Sequence, residues 1–415
     1  FSLPEHARLA EPAEASPGVT YPRGFLAGGF AAGIKQSGRP DLGVVCVAQE
    51  WRGSTTSAGV FTTNAFAAAP VIVTRDECDL SGLVVVVVNS GNANACTGEQ
   101  GLGVARGMQS SCARVLGVDA RRVGVASTGI IGVQLDEAFM SAAAGSAAAA
   151  VGPKGGAAFS SSIVTTDRYP KACAVEIDLP QGKVRIGACA KGAGMISPAM
   201  ATMIGVVTTD AALEADAAAG MLRSAVAGSF NQVTVDGEMS TNDSVFFLAN
   251  GASGIPLDAA GVALVGEVLK SVLLRIALMM VADGEGATKV IKATVRGGES
   301  DEEAARVCRA IADSPLVKTA MHGSDPNWGR VISSAGAALP GRLLPETRLS
   351  LCGVEVVAQG AAAEVSEEDR AALMAGMKHS EIEIDLDLGV GAGESHVFFS
   401  DLGHEYITIN AEYHS

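Results

Sequence analysis

The stretch LVVVVVNSGNAN, residues 83–94, contains five consecutive valines followed at once by asparagine, serine and glycine. A short apolar run without polar alternation is typical of a strand that is buried on both faces, as in the sheets of α/β proteins. The polar residues 89–94 predict a loop that releases the chain from the sheet. The stretch therefore predicts an internal strand of a covered sheet.

Strands and helices alternate on either side of this stretch. We expect the central strand at residues 83–88 and further strands at residues 43–48, 58–61, 71–74, 122–126, 172–178, 183–189, 203–208, 232–235, 331–333, 348–356, 381–386, 394–399 and 406–409. Helical patterns cover residues 103–116, 136–150, 211–227, 259–281, 301–312 and 367–377. Residues 127–129 are predicted to form a turn, and residues 152–162 a surface loop. Interleaved strands and helices predict an α/β protein.

Composition narrows the class of function. The 415 residues are too many for one ordinary core, so two or three lobes, or one large layered domain, are expected. A net charge of -15, without clustered lysines and arginines, argues against binding to nucleic acid. The apolar runs are too short to span a bilayer, so no membrane segment is expected.

The eight cysteines are scattered, with no C-x-x-C pair and no histidine at zinc-finger spacing. Reduced, mostly buried thiols are therefore expected, and neither a metal site nor a cofactor is predicted. Reduced cysteines fit the cytoplasm. An organelle matrix or stroma, after removal of a targeting peptide, is the alternative.

The segment KGAGMISPAMATMIGVVTTD, residues 191–210, is unusual for a structural element, because its glycines and proline interrupt any regular backbone just before a β-like run. Thr202 at such a bend can attack the carbonyl of Ala201, and hydrolysis of the resulting ester frees an N-terminal threonine. The new α-amine, with a pKa of about 8, can then serve as a base for the hydroxyl of the same residue. Taken alone, Thr202 is more simply explained as a β-former in a strand.

Motifs along the whole chain resemble those of one family. They are VNSGNANACTGEQG (88–101), STGIIG (127–132), TTD (165–167), KGAGMISPAMATM (191–203), VDGEMSTNDS (235–244), DGEGATK (283–289), DPNWGR (325–330) and INAEYHS (409–415). In this order they resemble the ornithine acetyltransferase family, also called the glutamate N-acetyltransferase or ArgJ family. Chance similarity does not explain so many ordered matches.

The resemblance implies a role for each matched residue. Thr202 matches the family nucleophile, and the bond between Ala201 and Thr202 matches the autoproteolytic site. Thr128 and Gly129 match the oxyanion hole, where a hydroxyl and a backbone N–H both face developing negative charge. Positions that contact substrate in the family are matched by Thr165, Lys191, Thr202, Glu285, Asn410 and Ser415.

The same residues have plainer interpretations. Without the resemblance, the oxyanion pair is a turn after a strand, the lysine lies on the surface and the glutamate belongs to a solvated acidic loop. The two C-terminal residues are then an ordinary tail. Residues 89–94 and 236–243 are expected to shape the backbone near the site, without a catalytic role.

The fold implied by the resemblance is a layered αββα sandwich of the DmpA/ArgJ-like kind, in a self-processing enzyme with an N-terminal nucleophile. Cleavage gives an alpha chain, residues 1–201, and a beta chain, residues 202–415, which stay associated and pair as a dimer of heterodimers. The implied reaction is ping-pong: Thr202 takes an acetyl group from N-acetylornithine and passes it to glutamate, giving ornithine and N-acetylglutamate in arginine biosynthesis. Some family members also accept acetyl-CoA as donor, and the sequence does not decide this.

Two other functions fit parts of the sequence. An amidase or aminopeptidase with the same nucleophile chemistry passes the acyl group to water instead of glutamate. A binding or scaffold protein that kept the fold without catalysis remains one intact chain.

Overall fold

The computed structural model of the protein describes residues 2–11, 18–197 and 203–412. The chain forms two compact units. The first contains Phe1–Asn231 and Met239–Met280, and the second contains Gln232–Glu238 and Val281–His414. The predicted alpha and beta chains, residues 1–201 and 202–415, divide the sequence at a different place, and that division stays a prediction.

The first unit contains two sheets. Its strands are β1 (Ala7–Leu9), β2 (Phe25–Phe30), β3 (Leu42–Val47), β4 (Thr56–Phe61), β5 (Val85–Asn92), β6 (Val123–Ile130), β7 (Lys171–Leu179), β8 (Gly182–Lys191), β9 (Ile204–Thr209) and, after β10 (Val233–Thr234) of the second unit, β11 (Ser244–Ala249). One sheet has the order β1-β7-β8-β9-β11-β4, and the other has the order β2-β3-β5-β6.

The helices that begin in the first unit are α1 (Ala69–Glu77), α2 (Gly98–Leu116), α3 (Glu137–Ala149), α4 (Gly156–Ser162), α5 (Ala215–Ala227) and α6 (Ala259–Ala282). Helices α2 and α3 pack against each other and against the four-stranded sheet, whereas α5 packs against β4 and β11 of the six-stranded sheet. Both helical layers thus cover sheets, as a layered architecture requires.

The five valines of residues 84–88 have no exposed surface. They share one apolar core with Phe61, Val206 and Phe246 of the six-stranded sheet. The two sheets therefore face each other across a common core, and the predicted layered α/β sandwich is confirmed.

The second unit is built on one mixed sheet in the order β10-β17-β12-β16-β13-β14-β15. Its remaining strands are β12 (Val290–Gly298), β13 (Arg348–Leu351), β14 (Val354–Ala358), β15 (Ala361–Ala362), β16 (Glu381–Asp387) and β17 (Gly393–Ser400). Its helices are α7 (Asp301–Ala312), α8 (Pro315–His322), α9 (Trp328–Ala337), α10 (Glu367–Gly376) and α11 (His404–Glu412). Helix α7 packs on β12 and β17 and closes a second apolar core.

Several segments differ from their predicted structure, among them the single predicted strand 348–356, which is the antiparallel pair β13 and β14. The predicted strands 71–74, 331–333 and 406–409 are helical and lie in α1, α9 and α11, and the predicted loop 152–162 contains α4. Short apolar runs fit a buried helix as well as a strand, so periodicity alone cannot separate the two. In α1 the deciding residue is Pro70, which occupies the first turn, where its fixed φ favours a helix and no N–H is needed.

No helix in the described part of the chain is both long and apolar enough to cross a membrane.

Candidate active site

The ends of β5 and β6 bring two glycines together in the first unit. The strands run in parallel, with Gly91 opposite Gly129 and Ser90 opposite Thr128. Gly129 has a φ of +134°, and a Cβ at this position would lie 2.3 Å from the carbonyl carbon of Gly91. Only glycine can therefore occupy position 129 in this structure.

This geometry corrects two predictions. Residues 127–129 belong to β6 and do not form a turn, and β5 continues through Asn92 instead of ending at residue 88. The polar side chains remain in the sheet because they hydrogen-bond to each other and to the backbone. The hydroxyl of Ser127 donates to Oδ1 of Asn89 at 2.5 Å, and the amide of Asn89 donates to the carbonyl of Asn92 at 2.9 Å.

Asp167 is the centre of a buried polar network. Its Oδ1 accepts hydrogen bonds from Nζ of Lys171 at 2.6 Å and from the N–H of Gly192 at 2.7 Å. Its Oδ2 accepts from the N–H of Thr165 at 3.0 Å and lies 4.0 Å from Nζ of Lys191. Burial alone would raise the pKa of Asp167, but the charges of Lys191 and Lys171 and the hydrogen bonds from Lys171 and Gly192 lower it to about 2. The ionised carboxylate thus balances two buried ammonium groups.

Lys191 links this network to the end of β6. Its Nζ donates to Oγ1 of Thr128 at 3.3 Å, and both side chains are buried. Lys191 is also the last residue of β8 and pairs with Ile204 at the start of β9. A buried positive charge therefore lies beside both the Thr128 hydroxyl and the strand that follows position 202.

A second lysine holds the loop that carries Thr165. Nζ of Lys35 donates to the carbonyl of Val164 at 2.8 Å and to the carbonyl of Pro40 at 2.9 Å. Burial lowers the pKa of Lys35 to about 8, although the nearby Asp41 opposes the shift. The backbone of residues 164 and 165 is thus fixed from both sides, by Lys35 and by Asp167.

A buried carboxyl that the sequence analysis did not assign to catalysis lies beside β9. Oδ1 of Asp243 accepts a hydrogen bond from the N–H of Met203 at 2.8 Å. Burial raises the pKa of Asp243 well above its ordinary value, against smaller opposing effects of that hydrogen bond and of Lys191. In the sequence Asp243 merely precedes the apolar run of β11, so no local pattern signals that it is buried.

Two predicted residues meet in the second unit. The side-chain amide of Asn410 donates to Oε2 of Glu285 at 2.7 Å. Helix α11, which carries Asn410, fits against the turn at Gly286, where a Cβ would lie 2.6 Å from the backbone nitrogen of Tyr406. The φ of Gly286 is +69°, so glycine allows both the turn and the close approach of the helix.

A sequence model of the ArgJ family matches residues 26–415. The chain belongs to the ArgJ family. The arginine biosynthesis bifunctional protein ArgJ of Nitratidesulfovibrio vulgaris is 42% identical over 395 residues, which cover 95% of this chain and 99% of that protein. The protein of the same name from Symbiobacterium thermophilum is 42% identical over 407 residues, with coverages of 95% and 98%. The resemblance of the motifs is confirmed, and the chain is an acyltransferase of arginine biosynthesis.

Solved structures give weaker matches. The ArgJ protein of Bacillus halodurans is 32% identical, with a TM-score of 0.47, and covers 50% of this chain and 98% of that one. The ornithine acetyltransferase of Mycobacterium tuberculosis, solved with ornithine, is 36% identical, with a TM-score of 0.41 and coverages of 46% and 98%. Membership of the ArgJ family rests on the sequence matches.

The predicted site residues of this ArgJ-family chain form one group in each unit. The first unit brings together Thr128, Gly129, Thr165 and Lys191. The second unit brings together Glu285 and Asn410. Three predicted residues lie outside the described part of the chain: Ala201, Thr202 and Ser415. The nucleophile, the cleavage site and the role of each substrate-binding residue therefore stay predictions.

The charged groups of the first-unit site are lysines and aspartates that pair with one another. Across residues 2–11, 18–197 and 203–412 of the ArgJ-family chain, no group of three or more His, Cys, Asp or Glu side chains could hold a metal ion. Lys191 and the backbone at Thr165 offer fixed positive charge and hydrogen-bonding groups to a reaction.

Proposed function

We propose that the chain transfers an acetyl group from N-acetylornithine to glutamate through an acetyl ester on Thr202, after cutting its own bond between Ala201 and Thr202. The observation that carries the proposal is the buried contact of Lys191 with Thr128, next to the strand that follows Thr202. Membership of a family whose relatives are named for arginine biosynthesis supports the choice of substrates.

In the first half of the reaction, the free α-amine of Thr202 takes the proton of its own hydroxyl, and Oγ1 attacks the acetyl carbonyl. Negative charge then develops on the carbonyl oxygen. The N–H of Gly129 and the hydroxyl of Thr128 donate to this oxygen, and each such donor contributes about 3 kcal/mol to lowering the barrier. The C–N bond breaks, and ornithine leaves with the proton that the Thr202 amine had taken.

Lys191 sets the direction of the Thr128 hydroxyl. Because Nζ of Lys191 donates to Oγ1 of Thr128, the hydroxyl hydrogen must point away from the ammonium. It is then available to the developing oxyanion, and the buried positive charge behind it strengthens the donor. Asp167 keeps this lysine in place through their electrostatic attraction.

In the second half, the amine of glutamate attacks the acetyl ester. N-acetylglutamate leaves, the Thr202 oxygen regains a proton, and the enzyme returns to its starting state. The relatives' name contains the word bifunctional, which supports acetyl-CoA as a second donor to the same threonine.

Two charged residues recognise the substrates in this proposal. Lys191 provides positive charge for a substrate carboxylate, and the backbone fixed at Thr165 provides hydrogen-bonding groups. Glu285 provides negative charge for the substrate amines. Its Oε2 already accepts from Asn410, which limits the rotation of the carboxylate and leaves lone pairs for an ammonium.

The test is to incubate the purified protein with N-acetylornithine, with and without glutamate, and to measure ornithine and N-acetylglutamate. We expect ornithine release to require glutamate and N-acetylglutamate to form in equal amount. Release at the same rate without glutamate identifies an amidase and contradicts the proposal. A matched Thr202→Ala sample is expected to be inactive and to run as one chain on a denaturing gel, whereas the wild type runs as two.

A further inference from the structure

Asp243 lies beside Met203, the residue that follows Thr202 in the chain. Strand β11 runs parallel to β9 with Ser244 opposite Ile204, which places Asp243 level with Met203. The N–H of Met203 donates to Oδ1 of Asp243 at 2.8 Å, and the N–H of Ser244 donates to the carbonyl of Met203 at 3.0 Å. Met203 directly follows Thr202 in the chain, so the N–H that Asp243 binds belongs to the peptide bond immediately after the predicted nucleophile.

The second oxygen of Asp243 has no partner among the described residues. Oδ2 is buried and makes no hydrogen bond, and the side chain has no exposed surface. The side chain of Ser240 accepts from the N–H of Asn242 at 3.0 Å, and its contact with the Asp243 carboxyl opposes the rise of the Asp243 pKa without outweighing burial. A buried ionised oxygen without a partner is strongly unfavourable, whereas a protonated one is tolerated.

The charged and polar groups around Asp243 do not reverse the preference of its carboxyl for the protonated form. Of the described strands packed beside Asp243, β8 contributes one charged group, Lys191, which itself lies 4.0 Å from the carboxylate of Asp167. The residues next to β9 and β4 contribute uncharged groups, the N–H of Met203 and the N–H of Thr62, of which the second donates to the Asp243 carbonyl. Burial outweighs these effects, and the pKa of Asp243 stays well above its ordinary value.

We propose that Asp243 is the acid that protonates the nitrogen of Thr202 when the chain cuts itself. Oγ1 of Thr202 attacks the carbonyl carbon of Ala201, the C–N bond breaks, and the departing nitrogen takes the proton from Oδ2 of Asp243. The proton released by the Thr202 hydroxyl returns to the Asp243 carboxylate, so no external acid is consumed. Water then hydrolyses the ester. The inference rests on the proposed self-cleavage and adds its proton source, which an amide nitrogen needs in order to leave.

The test follows cleavage of precursor made by cell-free synthesis, on denaturing gels, over a range of pH. Asp243→Asn keeps an oxygen for the N–H of Met203 but has no acidic proton, and we expect cleavage to slow at least 100-fold. The wild-type rate is expected to fall as pH rises through the pKa of Asp243, because the acid form is lost. The Asn variant is expected to lack this pH dependence.

Asp210→Asn is the matched control. Asp210 is also a buried carboxyl whose pKa is raised by burial, but it lies just after the far end of β9, and its oxygens accept from the N–H groups of Arg185 at 2.7 Å and Arg23 at 3.2 Å. We expect this variant to cleave at the wild-type rate. Asp243→Glu keeps an acidic proton and should cleave faster than Asp243→Asn, even though its extra methylene fits the buried site less well.

The outcomes separate the inference from the proposed function. If Asp243→Asn cleaves at the wild-type rate with the wild-type pH profile while Thr202→Ala stays intact, Asp243 is not the proton donor and the proposed function stands. Cleavage of Thr202→Ala itself contradicts the proposed function. Faster cleavage by the Asn variant than by the Glu variant assigns Asp243 a structural role only and overturns the inference.

Discussion

The ammonium of Lys191 lies 3.3 Å from the hydroxyl oxygen of Thr128, and neither side chain is more than slightly exposed. A lysine that the sequence allowed to be a surface residue is thus part of the interior. Its charge is balanced by Asp167, which also binds Lys171 and the backbone of residues 165 and 192.

Replacement of Lys191 by methionine tests how much the contact between Lys191 and Thr128 contributes to catalysis. The proposed oxyanion donor loses its orientation and the site loses a buried positive charge, so we expect kcat for acetyl transfer to fall roughly 100-fold. The fold should survive, because Asp167 and Lys171 remain as a neutral pair. Lys154→Met, at an exposed position of the same unit, is the control. Equal kcat values for both variants would show that Lys191 does not assist the reaction.

Gly129→Ala should destabilise the first unit. The new Cβ would meet the carbonyl carbon of Gly91 at 2.3 Å and would also require a strained positive φ, so we expect a loss of more than about 3 kcal/mol. Gly132→Ala has a similar backbone cost, with a φ of +85°, but nothing within 4 Å of its Cβ, and should lose about 1 kcal/mol. Urea denaturation in the uncut Thr202→Ala background measures both. A similar midpoint for the two variants would exclude the predicted clash.

Asp167 should make stability depend on acid pH. Its pKa is lowered to about 2 in the folded protein, below the value of about 3.9 in an unfolded chain, so the stabilisation is present above about pH 4 and is lost as pH falls towards 2. Asp167→Asn leaves two buried lysines without their counter-ion and should cost about 3–5 kcal/mol at pH 7. Denaturation curves of both proteins should converge between pH 4 and pH 2. A constant difference would mean that Asp167 is not ionised in the fold.

Glu285→Gln tests recognition of the substrate amines. Glutamine keeps an oxygen that can accept from Asn410 but removes the negative charge, so we expect KM for N-acetylornithine to rise roughly 10-fold to 100-fold. The control is Glu364→Gln, an exposed change in the same unit. Steady-state kinetics of both variants give KM for N-acetylornithine. An unchanged KM for Glu285→Gln would show that Glu285 does not bind the substrate.

The sequence predicted the elements whose pattern is long or unambiguous. The valine run that forms β5 and the amphipathic pattern of α7 could be recognised without knowledge of the segments that pack against them. The segments at residues 71–74 and 406–409 could not be predicted in this way, because a short run of apolar and β-branched residues fits a helix as well as a strand. These incorrect predictions concern local secondary structure and do not affect the predicted class of fold.

The candidate site was predictable only through its motifs. Thr128, Gly129 and Lys191 were named from the family pattern, and the structure brings them together. Asp243 was missed because its environment is created by β9 and by the end of β8, which are distant in the sequence from residue 243. Burial of a carboxyl is a property of the assembled fold, and a single sequence gives no direct signal of it.

Strands β8 and β9 lie on opposite sides of the predicted cut and pair along their length, from Ile186 with Thr209 to Lys191 with Ile204. Their ladder does not depend on the peptide bond before Thr202. Once that bond is cut, refolding is no longer a reaction of one chain. It requires the two fragments to associate. The rate of refolding after denaturation is then expected to rise with protein concentration. Dilution is expected to make unfolding harder to reverse, because the fragments meet less often.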